Sequence, residues 1–93
     1  MSNLVWDDWN LDHITKHGVT RAEVEEVIFS AVAVFPSYKN RLKFVGWSSL
    51  GRIVSVVIGQ VPDTETAYYV FSARPASRKE RRELTSFQDD HQP

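Results

Sequence analysis

The sequence lacks cysteine, and it also lacks any long apolar run. Without cysteine, the chain has no disulfide framework, no thiol nucleophile and no cysteine-based zinc site. The longest apolar stretch, residues 31–35, is five residues long, whereas a transmembrane helix needs ~20. The N-terminus has no basic segment followed by an apolar one, which is the pattern of a secretory signal. We therefore expect a cytoplasmic protein that does not use a membrane.

Several motifs of enzyme active sites are also missing. There is no phosphate-binding loop, no glycine-rich dinucleotide fingerprint and no nucleophile elbow of a hydrolase. His13 and His17 have the spacing of a zinc-protease helix, but Ile14 stands where that motif has glutamate, and no third ligand follows. We expect neither a cofactor nor a metal.

The remaining composition is that of one small folded domain. The chain has 93 residues, of which 42% are hydrophobic and 25% are charged. A chain of this length builds one modest core. We expect a single domain over residues 1–93, with its core at about residues 5–87.

Capping signals and periodicity predict an α+β fold. Asp7 or Asp8 can cap a first helix that stops at Gly18, and Thr20 with Glu23 forms a capping box that opens a second helix. Alternating polar and apolar residues then predict an antiparallel sheet of three to four strands before a C-terminal helix. The predicted strands cover residues 31–35, 41–47, 53–58 and 67–71, and the last helix runs from a capping box of Ser77 and Glu80 to about Phe87.

Charge is segregated along the chain, although the net charge is only −1. Residues 1–30 carry six acidic and two basic side chains, whereas residues 31–82 carry nine basic and three acidic ones. The basic residues are densest around the start of the last helix, at Arg74, Arg78, Lys79, Arg81 and Arg82. Positive charge opposes the dipole at a helix N-terminus, so this run indicates a site for an anion. The alternative is that these arginines pair with acidic residues of the first two helices.

Other positions are candidates for the same chemistry. Arg52 follows a tight turn, where it either binds a phosphate or simply blunts the end of a strand. His17 either faces the negative end of the first helix or transfers protons near neutral pH. Trp47, Tyr68 and Tyr69 either stack on nucleic-acid bases or belong to the core.

Four segments together resemble the BrnT family of toxins from bacterial type II toxin–antitoxin systems. They run from Trp6 to Val19, from Glu23 to Val27, from Gly46 to Arg52 and from Ser72 to Arg82. The specific parts are the corner Lys16-His17-Gly18-Val19 and the arginine run with its glutamate. The resemblance covers roughly residues 5–83.

The resemblance implies a RelE-like fold with two N-terminal helices, an antiparallel sheet and a C-terminal helix. It implies a metal-independent endoribonuclease that cuts RNA and inhibits translation. It also implies a cognate antitoxin, typically encoded next door, that binds the toxin in a hetero-oligomer and through which alone the toxin reaches operator DNA.

Cleavage of RNA without a metal requires a base, an acid and cations that stabilise the charge on phosphorus. The candidates for catalysis are His17, Arg52, Arg74, Arg78 and Glu80, although Glu80 has a competing duty in its capping box. The candidates for RNA binding are Lys16, Trp47, Lys79, Arg81 and Arg82. We expect Arg52, Arg74 and Arg78 to converge on one hollow shaped for a phosphodiester.

Two departures from the family pattern keep an alternative function open. Members of the family often have a tyrosine soon after the arginine run, whereas this chain continues from Glu83 to Phe87 without one. The segment between Phe35 and Arg41 is also short. The alternative is a non-catalytic binding module that forms a complex with an antitoxin or a regulator.

Overall fold

The computed structural model describes residues 3–30 and 33–90, with side chains through residue 87. The elements are β1 (Asn3–Val5), α1 (Asp8–Lys16), α2 (Arg21–Ser30), β2 (Ala33–Pro36), a 3₁₀ turn (Tyr38–Asn40), β3 (Leu42–Trp47), β4 (Ile53–Gln60), β5 (Ala67–Pro75) and α3 (Arg78–Asp90). None of the three helices in these ranges is long and apolar enough to cross a membrane.

The five strands form one sheet in the order β1-β5-β4-β3-β2. The four strands from β2 to β5 pair antiparallel with their neighbours. The fold class α+β is therefore confirmed, but the strand count was too low. The sheet has an additional edge strand, β1, which lies parallel to β5. Periodicity could not reveal it, because three residues are too few to show an alternating pattern.

Helices cover both faces of the sheet, so β4 lies at the centre of the core. Val54, Val56 and Ile58 of β4 are fully buried in the apolar cluster that contains residues of α1 and α2. On the other face, Val45 of β3 is buried against Leu84 of α3. A strand covered on both sides reads as a near-continuous apolar run, which is how residues 53–58 were interpreted.

The predicted capping residues define the starts of all three helices. The Asp7 side chain accepts from the Asn10 amide at 2.9 Å and caps α1. The box of Thr20 and Glu23 opens α2, and the box of Ser77 and Glu80 opens α3. Each capping box satisfies two backbone amides that a helix start otherwise leaves without partners.

The element boundaries differ from prediction in several places. β3 begins at Leu42 instead of residue 41, β4 continues past residue 58 to Gln60, and β5 continues past residue 71 to Pro75. The strand predicted over residues 31–35 begins, within the described residues, at Ala33 and includes Pro36; residues 31 and 32 lie outside them. The helix predicted to end at about Phe87 continues to Asp90, and the remaining C-terminal residues 91–93 also lie outside.

Candidate functional site

A hollow opens where β3 ends, β4 begins and β5 leads into α3. We call it the Arg52 hollow. It has a volume of about 270 Å³ and is lined by Trp47, Gly51, Arg52, Ile53, Pro75, Ala76 and Arg81. The tight turn between β3 and β4 places Arg52 beside Trp47, while the α3 helix brings Arg81 to the same opening. Three of the predicted site residues therefore share one cavity.

Arg52 is held in this hollow by a buried carboxylate. Its Nε and Nη2 donate to the two oxygens of Glu23 at 2.8 and 2.7 Å, and Nη2 also donates to the Gly18 carbonyl. Glu23 is only 1% exposed, and it accepts a further bond from the Ser48 hydroxyl. The bond from Arg52 contributes most to lowering the pKa of Glu23 to about 2, against the opposing effect of burial. Arg52 is therefore fixed in orientation while its side chain stays about one-third exposed.

Arg74 is held in the same manner by a second buried carboxylate. Its two terminal nitrogens donate to the two oxygens of Glu80 at 2.8 and 3.0 Å. The Ser77 amide and the Ser55 hydroxyl also donate to Glu80. Burial raises the pKa of Glu80, but the Ser77 amide and Arg74 outweigh it and the pKa falls to about 2. Both oxygens of the Glu80 carboxylate accept hydrogen bonds, and this arrangement holds Arg74 in place.

The basic residues of α3 form a second group, which is exposed. Arg78, Arg81 and Arg82 line a hollow of about 410 Å³ with Thr85 and Ser86. A neighbouring hollow of similar volume is lined by Phe35, Lys79, Arg82, Glu83, Ser86 and Phe87. Arg81 lines both the first of these hollows and the Arg52 hollow, so the basic side chains form one continuous surface. We call Arg52, Arg78, Lys79, Arg81 and Arg82 the cationic band.

The four α3 members of the cationic band have no ion pair with any carboxylate of the described residues. The expected alternative, that the run from Arg74 to Arg82 pairs with acidic residues of the first two helices, is not seen among the described residues: Arg74 pairs with Glu80 of α3. Arg52, which lies outside that run, is the arginine that pairs with α2, through Glu23. Unpaired guanidinium groups that share a hollow repel one another. This arrangement is suited to an anion, which would neutralise them.

The corner between α1 and α2 lies next to the Arg52 hollow. Gly18 adopts a left-handed conformation (φ 73°), which glycine tolerates without strain, and its carbonyl accepts from Arg52. His17 is exposed at the C-terminal cap of α1. Lys16 is also exposed and forms an ion pair with Asp12 at 3.1 Å. Within the described ranges, no group of three or more metal-binding side chains includes His13 and His17.

The structure thus distributes the predicted site residues over adjoining places. Trp47, Arg52 and Arg81 share the Arg52 hollow, Arg78, Lys79 and Arg82 surround the hollows beside it, Arg74 and Glu80 form a pair at the end of β5, and Lys16 and His17 lie at the α1–α2 corner. The expected convergence of Arg52, Arg74 and Arg78 on one point is not seen. Arg74 is turned to Glu80, and Arg78 lines the neighbouring hollow.

Two tyrosines that were candidates for base stacking have structural contacts instead. Tyr68 packs against the core cluster, and the Tyr69 hydroxyl donates to Asp7 at 2.9 Å.

The sequence analysis did not identify Glu23 as a site residue. Its capping-box spacing revealed a role at the start of α2, but no local pattern indicates an arginine 29 positions away.

Comparison with solved structures finds a protein of the ribonuclease toxin class. It is BrnT of Brucella abortus, known from a crystal structure, and the two proteins superpose with a TM-score of 0.66 at 29% sequence identity. The similarity covers 84% of this chain and 100% of that one. No family model and no curated protein matches the chain. The resemblance to BrnT found in the sequence motifs is confirmed.

Proposed function

We propose that this protein is an endoribonuclease toxin of a type II toxin–antitoxin system, acting in the cytoplasm and slowing translation by cutting RNA without a metal. The observation that carries the proposal is the similarity to a ribonuclease toxin along that toxin's whole length, combined with an exposed cationic band beside a hollow. A cognate antitoxin would form a hetero-oligomer with it and provide the contact with operator DNA.

The cationic band supplies the first requirement of the reaction, which is charge. Arg81 and Arg78 are unpaired and exposed, so they can bind the phosphates of RNA and stabilise charge that develops during cleavage. Arg52 is oriented by Glu23 and presents the remaining part of its guanidinium to the hollow. A fixed cation stabilises a transition state better than a mobile one, because it needs no reorganisation during the reaction.

Proton transfer is the second requirement. His17 is exposed and lies beside the carbonyl that binds Arg52, and imidazole is the side chain best suited in general to proton transfer near neutral pH. Glu80 fits this role less well, since all its neighbours hold it as an anion. In our proposal Glu80 positions Arg74, and Trp47, which is 49% exposed at the rim of the hollow, offers a ring on which a base stacks.

The double variant Arg78→Ala/Arg81→Ala tests the nuclease. We expect the purified wild-type protein to cut total RNA in the presence of a chelator, and the variant to cut at least about 100-fold more slowly. Neither arginine side chain has a hydrogen-bond or ion-pair partner among the residues that the structure describes, so the thermal unfolding midpoint should hardly change. Arg21→Ala, which removes a cation from α2 on the other face of the sheet, is the matched control.

If the variant cleaves RNA as fast as the control, the cationic band is not the site. Induced expression in bacteria gives an independent reading: growth should stop with the wild type and with Arg21→Ala, and should recover with the double variant.

A second candidate is the non-catalytic binding module. It is favoured by the observation that Arg52 and Arg74 both hold buried carboxylates, which leaves fewer free guanidinium groups for catalysis. In that case the wild-type protein would yield no RNA fragments but would co-purify with the product of the adjacent reading frame.

A further inference from the structure

The outward side of α1 carries a row of aromatic rings. Trp9, His13 and His17 follow one another at intervals of four residues and therefore lie on one face of the helix. The Trp9 and His13 rings are parallel to within 8°, with centroids 4.9 Å apart. The His17 ring is 5.4 Å further on. We call these three residues the ring row.

The packing of α1 does not require this row. The buried side chains of the helix are Asn10 and Ile14, which face the interior. Trp9, by contrast, is 57% exposed. A large exposed aromatic side chain that the core does not use is typical of an interaction surface.

The ring row has a rigid base at its N-terminal end. Asp7 caps α1, and its two carboxylate oxygens share the single hydroxyl proton that Tyr69 donates, at 2.9 and 3.0 Å. The Tyr69 ring lies 6.4 Å from that of Trp9. Because this end of the helix is fixed to β5, little conformational freedom remains to be lost on binding.

Negative charge flanks the ring row. Asp8 and Asp12 lie along one side of the row; Asp12 pairs with Lys16 at 3.1 Å, whereas Asp8 forms no ion pair within the described residues and carries the free negative charge. Phosphate groups are repelled by such a surface, whereas guanidinium and ammonium groups are attracted both to carboxylates and to the faces of aromatic rings. The same chemistry is used within this chain, where Arg21 lies 5.4 Å from the Trp6 ring.

We propose that the ring row binds a cationic helix of a partner protein, with arginine side chains lying against the rings and the carboxylates beside them. The rings repeat at about one helical turn, so arginines four residues apart on a second helix match their spacing. α1 packs into the core cluster on one face of the sheet and α3 on the other. The Trp9 end of the ring row is thus separate from the four α3 members of the cationic band, whereas His17 at the other end lies next to the glycine whose carbonyl binds Arg52. The binding tests are therefore placed at Trp9 and Asp8, which the proposed nuclease does not use.

The test uses a synthetic helical peptide of about 16 residues, rich in alanine, with three arginines at intervals of four. A permuted peptide of identical composition has its arginines spread around the helix. Fluorescence anisotropy measures the binding of each labelled peptide to the full-length protein at low salt. We expect the first peptide to bind at least about five-fold more tightly than the permuted one.

Variants of the protein locate the binding surface. Trp9→Ala and Asp8→Asn should each lower the affinity for the first peptide about two- to five-fold. Trp9→Phe should keep most of the affinity that is lost in Trp9→Ala. Phe29→Ala removes a similarly exposed aromatic ring from α2 and should leave binding unchanged.

Equal binding of the two peptides would overturn the proposal, as would variants at Trp9 and Asp8 that bind like the wild type. It would also be overturned if Trp9→Ala lowered the affinity for a single-stranded RNA and left the affinity for the peptide unchanged, since the ring row would then be part of an RNA-binding surface. RNA cleavage is measured on the same wild-type preparation, so loss of the proposed nuclease and loss of this interaction are seen separately.

Discussion

At the scale of single residues, two glutamates repeat one arrangement. Glu23 and Glu80 are each the last residue of a capping box, each accepts from a serine of the sheet region, and each binds an arginine through both oxygens. Both carboxylates are almost fully buried. A buried carboxylate is stable only when its hydrogen bonds are satisfied, and here each one has donors from three sources.

Replacing Glu23 tests how much its buried pair with Arg52 contributes to the stability of the fold. We expect Glu23→Gln to lower the free energy of unfolding at pH 7 by about 2 kcal/mol, because Arg52 loses its charged partner. Urea denaturation measures the change. Glu25→Gln removes an exposed carboxylate from the same helix, where its pair with Arg21 is worth at most about 0.5 kcal/mol.

The difference in stability between the wild type and Glu23→Gln should depend on pH in a defined direction. The pKa of Glu23 is about 2 in the folded protein and 4.5 ordinarily, so its contribution is complete above pH 4.5 and is lost as the pH falls toward 2. The wild type and Glu23→Gln should therefore converge in stability on acidification. A gap that stays constant between pH 7 and pH 3 would contradict the role given to this carboxylate.

Local spacing predicted both capping boxes but not the arginines that complete them. A capping box joins residues three apart, so it is visible in the sequence. Arg52 and Glu23 are 29 positions apart, and their meeting depends on how α2 lies against the turn between β3 and β4. From the sequence, Arg52 was expected to bind a phosphate or to blunt a strand end, and pairing with the acidic helices was considered only for the arginine run.

At the scale of elements, α3 begins with an electrostatic disadvantage that its cap offsets. Four cations lie in its first two turns, next to the positive end of the helix dipole. The Glu80 carboxylate adds negative charge there, and the Ser77 hydroxyl accepts from the Glu80 amide at 3.1 Å. The start of α3 is thus determined by these two side chains.

Removing the Ser77 hydroxyl should accordingly destabilise the protein. We expect Ser77→Ala to lower the free energy of unfolding by about 1 kcal/mol, measured by thermal or urea unfolding. Ser86→Ala, in the exposed middle of the same helix, is the control and should change stability by less than about 0.5 kcal/mol. Equal effects of the two substitutions would show that the cap does not stabilise α3.

Elements with a strong local pattern were predictable, and those that depend on distant partners were not. The apolar run of β4 and the boxes of α2 and α3 have signatures of their own. β1 becomes a strand only because β5 offers a free edge to residues Asn3–Val5. Its parallel pairing joins segments more than 60 positions apart, which no local periodicity encodes.

At the scale of the whole molecule, segregation of charge along the chain becomes segregation in space. The acidic N-terminal third forms α1 and α2 on one face of the sheet, and α3, whose first two turns carry four basic residues, packs on the opposite face. The small net charge of −1 conceals two surfaces of opposite sign. Partners of opposite charge are therefore directed to different sides of the protein.

Salt dependence of RNA binding tests the positive surface. With a single-stranded RNA whose 2′-hydroxyls are methylated to prevent cleavage, Arg81→Ala should weaken binding and reduce the slope of log K against log salt by about 0.7. Arg21→Ala, on the acidic side, should leave the slope unchanged. An Arg81→Ala protein with the wild-type slope would place the RNA elsewhere.

The sequence located the candidate site more reliably than it assigned roles within it. The arginine run and the turn before Arg52 indicated two segments that do meet, at the Arg52 hollow. The roles depend on side-chain partners, and these follow from packing. Arg74 was expected beside Arg52 in an open hollow, but a bidentate pair with Glu80 holds it.

The double duty of the capping glutamates links activity to completion of folding. The pair of Glu23 and Arg52 joins α2 to the start of β4, and the pair of Glu80 and Arg74 joins α3 to the end of β5. A chain in which either helix is undocked therefore does not hold that arginine in its native orientation. If the protein cleaves RNA with these arginines, conditions that loosen either helix should lower its activity before the whole chain unfolds.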